Sequence, residues 1–262
     1  MKKIFTMAVI ALFTMTSCSE DDAVPTPPGE NPAETVLLRK TISFNPMSGQ
    51  QEETVYTYDS QNRLISIKDG PTAAGTYYTY LGDIITKTEV KADDGSIINT
   101  DTYEYDSSGR LIVCKSHLAV GPQPSTIKDV FTYNQDGTIT TTQYSGDENS
   151  QPNIGATIVF QLSGGNIIQS VTTAQNSMGG PVTTTTDNYT FDDKYTPTRN
   201  IPGMSALMLS DMEGGVNNIT SRSSVEYPMF SYTHFYTYNN EGYPVTQALG
   251  TQGNITVQYF YE

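Results

Sequence analysis

Pairs of aromatic or aliphatic residues, with one residue between them, recur along this chain. The pairs are Tyr56/Tyr58, Tyr78/Tyr80, Tyr103/Tyr105, Phe131/Tyr133, Ile158/Phe160, Tyr189/Phe191, Tyr236/Tyr238 and Tyr259/Tyr261. Side chains of a β-strand alternate between two faces, so the two members of a pair lie on the same face. The pattern therefore predicts eight strands, each with an aromatic or aliphatic face.

A short polar turn follows the pairs. The residue after the second member is Asp59, Asp106, Asn134, Asp192 or Asn239 in five of the pairs. Three residues after that position the chain has Asn62, Gly109, Gly137, Gly164 or Gly242. Asp and Asn side chains bond to nearby backbone amides and start turns, while Gly and Asn accept the left-handed backbone of a hairpin loop. Aliphatic residues then resume. Each unit is predicted to be a β-hairpin, with Gly109 and Gly137 in left-handed positions.

Eight hairpins imply an all-β protein of about sixteen antiparallel strands joined as a meander. Strand twist accumulates in such a sheet, and open edges invite aggregation. We therefore expect a curled sheet or a barrel, with a sandwich as the alternative.

One unit carries a recognisable motif. The stretch YEYDSSGRLIV, residues 103–113, resembles the YD repeat of RHS-type bacterial proteins, and YTYDSQNRL differs from it in having Asn62 in place of the glycine. The matching positions are Tyr103, Tyr105, Asp106, Gly109, Arg110 and Leu111. RHS proteins wind long arrays into shells around a toxin, and this chain is too short for that role. As a whole it resembles a family of uncharacterised Bacteroidetes lipoproteins with a porin-like fold and no established activity.

The first residues indicate export. Lys2 and Lys3 precede a short apolar run that ends near Cys18, as in a cleaved signal peptide. MTSC resembles a lipobox, which implies that Cys18 carries lipid, although many lipoboxes have Leu where Met15 stands. A conventional signal peptide cut elsewhere is the alternative. The predicted organisation is a signal peptide at 1–17, an acidic and proline-rich linker at 18–35, and a single β-repeat domain at 36–262.

The stretch after the cysteine indicates where the protein goes. CSEDD is similar to the acidic export signal of Bacteroidetes surface lipoproteins, which implies an outer-membrane location facing the exterior; the alternative is the solvated start of a linker. The chain has 14 basic and 28 acidic residues, so nucleic acid is not an expected partner. Threonine-rich stretches such as TITTTQYSGDE lack the alternating apolar residues of a lipid-facing strand, so the predicted membrane contact is the lipid anchor alone.

One segment departs from the repeat. NIPGMSALMLSDMEGG predicts a short helix near residues 201–213, capped by Asn200. Met204, Met208 and Met212 are spaced four residues apart and form one apolar stripe. The helix is expected to cover an open end or the interior of the sheet. The alternative is a methionine-lined binding surface.

No catalytic constellation is evident in the sequence. Cys114 and His117 are three residues apart, hence on opposite faces of a strand, and His234 has no partner nearby in the sequence. The carboxylates Asp59, Asp106, Asp136 and Asp192 fall in predicted turns, where backbone hydrogen bonding accounts for them. We therefore predict no catalytic, metal or cofactor site.

The predicted function is a cell-surface lipoprotein with a non-catalytic binding or structural role, with a glycan or a protein as the ligand. Two alternatives remain open. One is an envelope component that faces the periplasm. The other is a glycan-active enzyme, because two carboxylates can meet in space without being close in sequence.

Overall fold

The computed structural model describes residues 35–44, 49–120, 125–174, 181–212, 214–251 and 253–262. The predicted signal peptide, Cys18 and linker residues 18–34 lie outside this part of the chain. Sixteen strands follow one another: β1 Leu38–Phe44, β2 Gln51–Tyr58, β3 Leu64–Lys68, β4 Gly75–Leu81, β5 Ile84–Lys91, β6 Ile97–Tyr105, β7 Leu111–Leu118, β8 Ser125–Tyr133, β9 Ile139–Gly146, β10 Asn153–Ser163, β11 Asn166–Ala174, β12 Thr183–Tyr195, β13 Asn217–Ser224, β14 Tyr232–Tyr238, β15 Pro244–Leu249 and β16 Ile255–Tyr261.

The strands form an antiparallel meander that closes into a barrel, because β16 returns to pair with β1. Thr41 lies opposite Tyr259 in this last pairing. Two backbone hydrogen bonds of 2.9 and 3.0 Å between Leu37 and Glu262 extend the seam. The predicted sixteen-stranded meander is thus confirmed, and of the alternatives the barrel is the one that forms.

The predicted turn chemistry is present in the hairpins. Asp106 Oδ1 accepts the backbone N–H of Ser108 at 2.9 Å and of Arg110 at 3.0 Å. Gly109 and Gly137 have φ of 75° and 85°, so the predicted left-handed positions are confirmed. Asn62 takes the same conformation with φ of 60°, which explains why asparagine can replace glycine in that unit.

The meander gives the barrel two different ends. Even-numbered strands finish at one end, which we call the hairpin end; it carries the turns that follow β2, β6, β8 and β14. Leu38, where β1 begins, and Tyr261, where β16 finishes, pair there, so the chain enters and leaves the barrel at the hairpin end. We call the opposite end the loop end.

At several places a tyrosine hydroxyl joins a strand to the one before it. The second tyrosine of a pair donates to a backbone carbonyl near the start of the preceding strand, at the hairpin end. The bonds run from Tyr58 to Leu38 (2.6 Å), Tyr105 to Ile85 (2.7 Å), Tyr133 to Leu111 (3.0 Å) and Tyr261 to Pro244 (2.8 Å). The phenol therefore does more than fill the core, because it also satisfies a carbonyl of the neighbouring hairpin.

The paired rings face the interior. The core includes Tyr103, Phe131, Phe160 and Tyr189, each no more than 9% exposed. The aromatic or aliphatic face predicted for these strands is thus the face that packs in the core.

The outer face of the barrel carries both polar and apolar side chains. Thr237 and Thr246 form a cross-strand pair whose hydroxyl oxygens lie 2.6 Å apart, and Lys87 forms an ion pair with Glu89 at 2.8 Å. Val159, which lies opposite Val171 of β11, is 37% exposed on this face, and Phe260 of β16 is 40% exposed.

The predicted helix is present as a 3-10 helix, Met204–Leu209. The predicted cap is wrong. Gly203 takes the N-cap position without a side-chain hydrogen bond, whereas Asn200 donates to the carbonyl of Val36 and to the Tyr243 hydroxyl. Tertiary partners outcompete the local capping bond here. A second 3-10 helix, Pro228–Phe230, has no counterpart among the predicted elements.

Candidate functional site

The segment between β12 and β13, of which residues 196–212 and 214–216 are described, enters the barrel from the hairpin end. Leu207 and Leu209 are buried in one cluster with Ile85, Leu111 and Phe160 of the barrel wall. Of the two locations expected for this segment, it takes the interior. We call it the insert.

Side-chain amides hold the C-terminal side of the insert. Asn166 and Asn217 exchange two hydrogen bonds, one from Asn166 Nδ2 to Asn217 Oδ1 at 3.0 Å and one from the Asn217 backbone to Asn166 Oδ1 at 3.1 Å. Asn218 Nδ2 donates to Asp192 Oδ2 at 3.1 Å, and the Tyr238 hydroxyl donates to the same carboxylate oxygen. The start of β13, where the insert ends, is therefore joined to β11, β12 and β14, and the Ile167 N–H of β11 donates to the carbonyl of Gly214 in the insert at 3.0 Å.

A cavity of about 650 Å³ separates the insert from the opposite wall of the barrel. On the wall side it is lined by five side chains of β14, β15 and β16: Tyr232, His234, Tyr236, Gln247 and Tyr259. Met204, Met208 and Asp211 of the insert face them. We call this space the lumenal cavity; its volume is within the range of small-molecule sites.

The strand β14 supplies a row of rings, because alternate residues share one face of a strand. The Tyr232 and His234 rings stack with centroids 4.6 Å apart, and the edge of Tyr236 follows at 6.1 Å. The Tyr236 hydroxyl donates to the carbonyl of Ile219 at 3.0 Å, which fixes that ring. The row is a rigid aromatic wall with one imidazole in its centre.

The polar groups of this wall are neutral. Burial lowers the pKa of His234 from its ordinary value of 6.5, and a backbone hydrogen bond with Ile219 acts weakly in the opposite direction. Burial raises the pKa values of the Tyr236 and Tyr259 phenols. Imidazole and phenols are therefore uncharged near neutral pH and can both donate and accept hydrogen bonds.

Asp211 brings negative charge to the interior. Burial, together with the charges of Asp101 and Asp211, raises the pKa of the Tyr103 phenol, and a hydrogen bond with Thr88 opposes this. Burial, with Asp101, Asp129 and Asp211 nearby, also raises the pKa of the Cys114 thiol. The Tyr103 phenol and the Cys114 thiol therefore stay protonated near neutral pH, and both are poor nucleophiles in that form.

The structure keeps the two sequence candidates apart. Cys114 is a buried free thiol in the core, whereas His117 Nδ1 lies 2.9 Å from the Thr126 hydroxyl. Within the described part of the chain, no group of three or more His, Cys, Asp or Glu residues is arranged to hold a metal ion.

The carboxylates predicted to lie in turns have structural partners, but the predicted location of Asp192 is wrong. Asp59, Asp106 and Asp136 accept backbone amides two residues ahead, as predicted. Asp192 was expected in a tight turn, but it lies within β12, because the long insert replaces the hairpin turn at this point. Its Oδ1 still accepts the backbone N–H of Lys194 at 2.9 Å, and the carboxylate also binds Asn218 and Tyr238, which are distant in sequence.

The methionine stripe packs against the core and also contributes to the cavity surface, which are the two alternatives predicted for it. Met204, Met208 and Met212 pack against the core, while Met204 and Met208 also line the lumenal cavity. Sequence reasoning did not identify Tyr232, Gln247 or Tyr259 as site residues. The alternation in YTHFYTY places Tyr232, His234 and Tyr236 on one face, but no sequence signal places Gln247 and Tyr259 beside them.

None of the described residues forms a helix long and apolar enough to cross a membrane. No protein-family model matches the chain, and no curated protein matches it.

Solved structures do resemble the barrel. A porin-like protein from Bacteroides vulgatus ATCC 8482 matches with a TM-score of 0.60 and 12% identity, over 87% of this chain and 99% of that one. A porin-like protein from Bacteroides uniformis ATCC 8492 matches with a TM-score of 0.51 and 15% identity, over 87% of this chain and 97% of that one. The porin-like fold is thereby confirmed. The relationship to YD-repeat proteins and to a lipoprotein family stays a prediction.

Proposed function

We propose that this protein is a lipoprotein of the bacterial cell surface, anchored through Cys18, whose barrel binds an extracellular ligand in the lumenal cavity without catalysing a reaction. The observation that carries the proposal is the cavity itself. It combines a rigid aromatic wall with a few polar groups, which is the usual composition of a ligand site. The size of the cavity favours a glycan over a folded protein, because a folded protein cannot enter about 650 Å³.

An envelope location is supported by the signal-like N-terminus and by the porin-like barrels of Bacteroides that share the fold. Polar pairs on the outer face, such as Thr237 with Thr246 and Lys87 with Glu89, favour a barrel surrounded by water, since a lipid-facing band is apolar at alternate residues. In this proposal two or more acyl chains on Cys18 provide stable membrane attachment.

The number of carboxylates at the cavity favours a binding role over glycoside hydrolysis. Asp211 is the single carboxylate among the described residues that line the lumenal cavity. Glycosidases ordinarily use two carboxyl groups about 5–10 Å apart. An enzyme is the alternative, and measurable turnover of glycoside substrates that Asp211→Asn abolishes would favour it.

The binding proposal is tested by filling the cavity. Ser205 is exposed on the insert and lines the cavity, so Ser205→Trp places an indole in the space. Ser223→Trp is the matched control, because Ser223 is exposed on β13 and does not line the cavity. On a glycan array and a panel of extracellular proteins, we expect the wild type and Ser223→Trp to bind the same ligand and Ser205→Trp to lose it. Equal binding by all three would rule out the cavity.

The anchor is tested separately by detergent partitioning. Cys18→Ala should move the protein from the detergent phase to the aqueous phase, because the acyl chains are its proposed membrane attachment. An unchanged distribution would refute lipidation. Surface labelling of intact cells distinguishes an exterior location from the periplasm-facing alternative, in which labelling appears only after the outer membrane is permeabilised.

A further inference from the structure

We infer that the lumenal cavity accepts a short uncharged saccharide, or the uncharged end of a glycan chain, and that His234 and Gln247 hydrogen-bond to its hydroxyl groups. This inference rests on the proposed function, since it names the ligand class of the same cavity. It is carried by three observations: the hydrogen-bonding capacity of the wall, the balance of charge around the cavity, and the arrangement of its rings.

The first observation concerns His234. Its Nδ1 atom is buried and makes no hydrogen bond to any residue in the described ranges. Burial of a polar atom without a partner destabilises a protein. A half-turn of the ring about Cβ–Cγ keeps it between Tyr232 and Tyr236 and exchanges the positions of Nδ1 and Cδ2, at the expense of the hydrogen bond with the Ile219 backbone. A hydroxyl of a ligand in the cavity can then partner an imidazole nitrogen, because it can act as donor or acceptor.

Gln247 and Tyr259 extend this surface along the wall. The Tyr259 hydroxyl donates to Gln247 Oε1 at 2.5 Å, which orients the carboxamide. With its oxygen engaged, the remaining hydrogen-bonding groups of the carboxamide are the two N–H donors on Nε2. The phenol oxygen of Tyr259 can in turn accept a hydrogen bond. The wall thus offers donors and acceptors side by side, as adjacent hydroxyls of a sugar ring require.

The second observation concerns charge. Arg199 and Asp211 are the charged side chains among the described residues that line the cavity, and their charges cancel. The Arg199 guanidinium lies over the Tyr195 ring, 4.4 Å from its centroid, which holds it against the protein. A ligand of high negative charge would find one cation, Arg199, which already contacts Tyr195, and the Asp211 carboxylate would repel it. The site is therefore matched to an uncharged ligand.

The third observation concerns the rings. A sugar ring has a face of C–H groups and a rim of hydroxyls, so it needs an apolar surface next to polar groups. Tyr232, His234 and Tyr236 provide ring surfaces, and Met204 and Met208 provide apolar contact from the insert. Gln247 and Tyr259 provide the polar groups. A purely apolar ligand would leave these polar groups without partners, which disfavours that class.

Calorimetric titration tests the inference on the chain from Ser19 to Glu262, which contains the whole closed barrel and lacks the lipid acceptor. Three neutral probes are cellobiose, maltotriose and N,N′-diacetylchitobiose. Two charged probes of similar size are digalacturonate and the free-amine chitobiose. We expect at least one neutral probe to bind at one site per chain, and the charged probes to bind about tenfold more weakly or not at all.

His234→Phe tests the residue assignment. Phenylalanine keeps a ring beside Tyr232 and removes the ring nitrogens, so binding should weaken by about tenfold. The unpartnered Nδ1 and the hydrogen bond with Ile219 are lost together, and because their effects on stability are opposite, the melting temperature should stay similar. His117→Phe is the matched control, because His117 is the other histidine of the chain and does not line the cavity. Neutral binding that is abolished by Ser205→Trp but unchanged in His234→Phe would refute the role of His234.

The remaining outcomes separate this inference from the proposed function. If a charged probe binds more tightly than every neutral probe, and Ser205→Trp abolishes that binding, the ligand class is wrong and the binding cavity stands. If none of the five probes binds, the inference fails. The proposed function then depends on the separate comparison of Ser205→Trp with Ser223→Trp.

Discussion

At the scale of single residues, the aspartate and the arginine of the stretch YDSSGR, residues 105–110, join a turn to the next hairpin. The Asp106 carboxylate accepts the backbone and side-chain N–H groups of Arg110, and these hydrogen bonds lower the pKa of Asp106. The Arg110 guanidinium in turn lies over the Tyr133 ring, 4.4 Å from its centroid. Asp59 and Arg63 form the same ion pair at 2.7 Å. The aspartate, the arginine and the next tyrosine of the motif therefore have one shared structural role.

The left-handed backbone of Gly109 allows a direct test of the turn. A Cβ added at this position would have no heavy atom within 4 Å, so Gly109→Val introduces backbone strain without a collision. We expect a loss of about 1–2 kcal/mol of folding free energy. For a domain of this size, the melting temperature should fall by roughly 2–8 °C.

Gly253→Val is the control for this measurement. Gly253 also has open space around its Cβ position, but its φ is not in the left-handed region. Thermal melting of both variants should show a clear loss for Gly109→Val and little change for Gly253→Val. Equal melting temperatures would contradict the assignment of strain to the turn.

The buried thiol of Cys114 gives a second prediction at this scale. Its pKa is raised by burial and by neighbouring aspartates, so the reactive thiolate is scarce even at mildly alkaline pH. In the chain from Ser19 to Glu262, iodoacetamide should label Cys114 slowly in native buffer and rapidly in guanidinium chloride. Mass spectrometry measures both rates. Rapid labelling in native buffer would mean that the core around Cys114 opens readily.

At the scale of elements, the hydroxyls of repeated tyrosines join neighbouring hairpins. Tyr105 is a clear example, because its hydroxyl donates to the carbonyl of Ile85 at 2.7 Å while its ring packs against the core. A phenylalanine could supply the ring but not the hydrogen bond. This explains why the pattern repeats tyrosine where packing alone would accept either residue.

Tyr105→Phe should therefore destabilise the barrel by about 1 kcal/mol, since it leaves the Ile85 carbonyl without its partner. Tyr144→Phe is the control, because the Tyr144 ring lies under Lys128 on the outer face and its hydroxyl makes no hydrogen bond to the described residues. Urea denaturation of both variants provides the comparison. A Tyr105→Phe variant as stable as Tyr144→Phe would show that the hydroxyl bonds add no net stability.

At the scale of the whole molecule, stability depends on closure of the barrel between β1 and β16. Closure gives each of the sixteen described strands a neighbour on both sides, and exposed edges promote association. The seam includes the pairing of Thr41 with Tyr259 and the backbone pair of Leu37 with Glu262. Residues at the two ends of the sequence thus complete one sheet.

Removal of residues 259–262 should open this seam. Loss of two tyrosine side chains and several hydrogen bonds should lower the melting temperature by about 10 °C or more. The exposed edge of β1 should also cause association, which size-exclusion chromatography detects. The control is the chain from Ser19, which leaves every described strand intact. A truncated chain that stays monomeric and equally stable would show that closure is dispensable.

Local interactions account for what could be predicted from the sequence. The alternation of tyrosines indicates strands because strand side chains have a period of two, and the Asp-to-Gly turns indicate hairpins because their hydrogen bonds span at most five residues. Strand number, meander order and the left-handed glycines follow from these short-range rules. The predicted cap at Asn200 is wrong because its partners, Val36 and Tyr243, are distant in sequence.

The sequence by itself determined the strands, the hairpins and the face of each strand that carries the rings. Only the tertiary structure decided that the sheet closes, that the insert fills part of the lumen, and that His234 lies with Gln247 and Tyr259 around one cavity. The physical reason is the range of the interactions. Turns and alternation depend on neighbouring residues, whereas closure and cavity shape depend on accumulated twist and on packing between segments far apart in the chain.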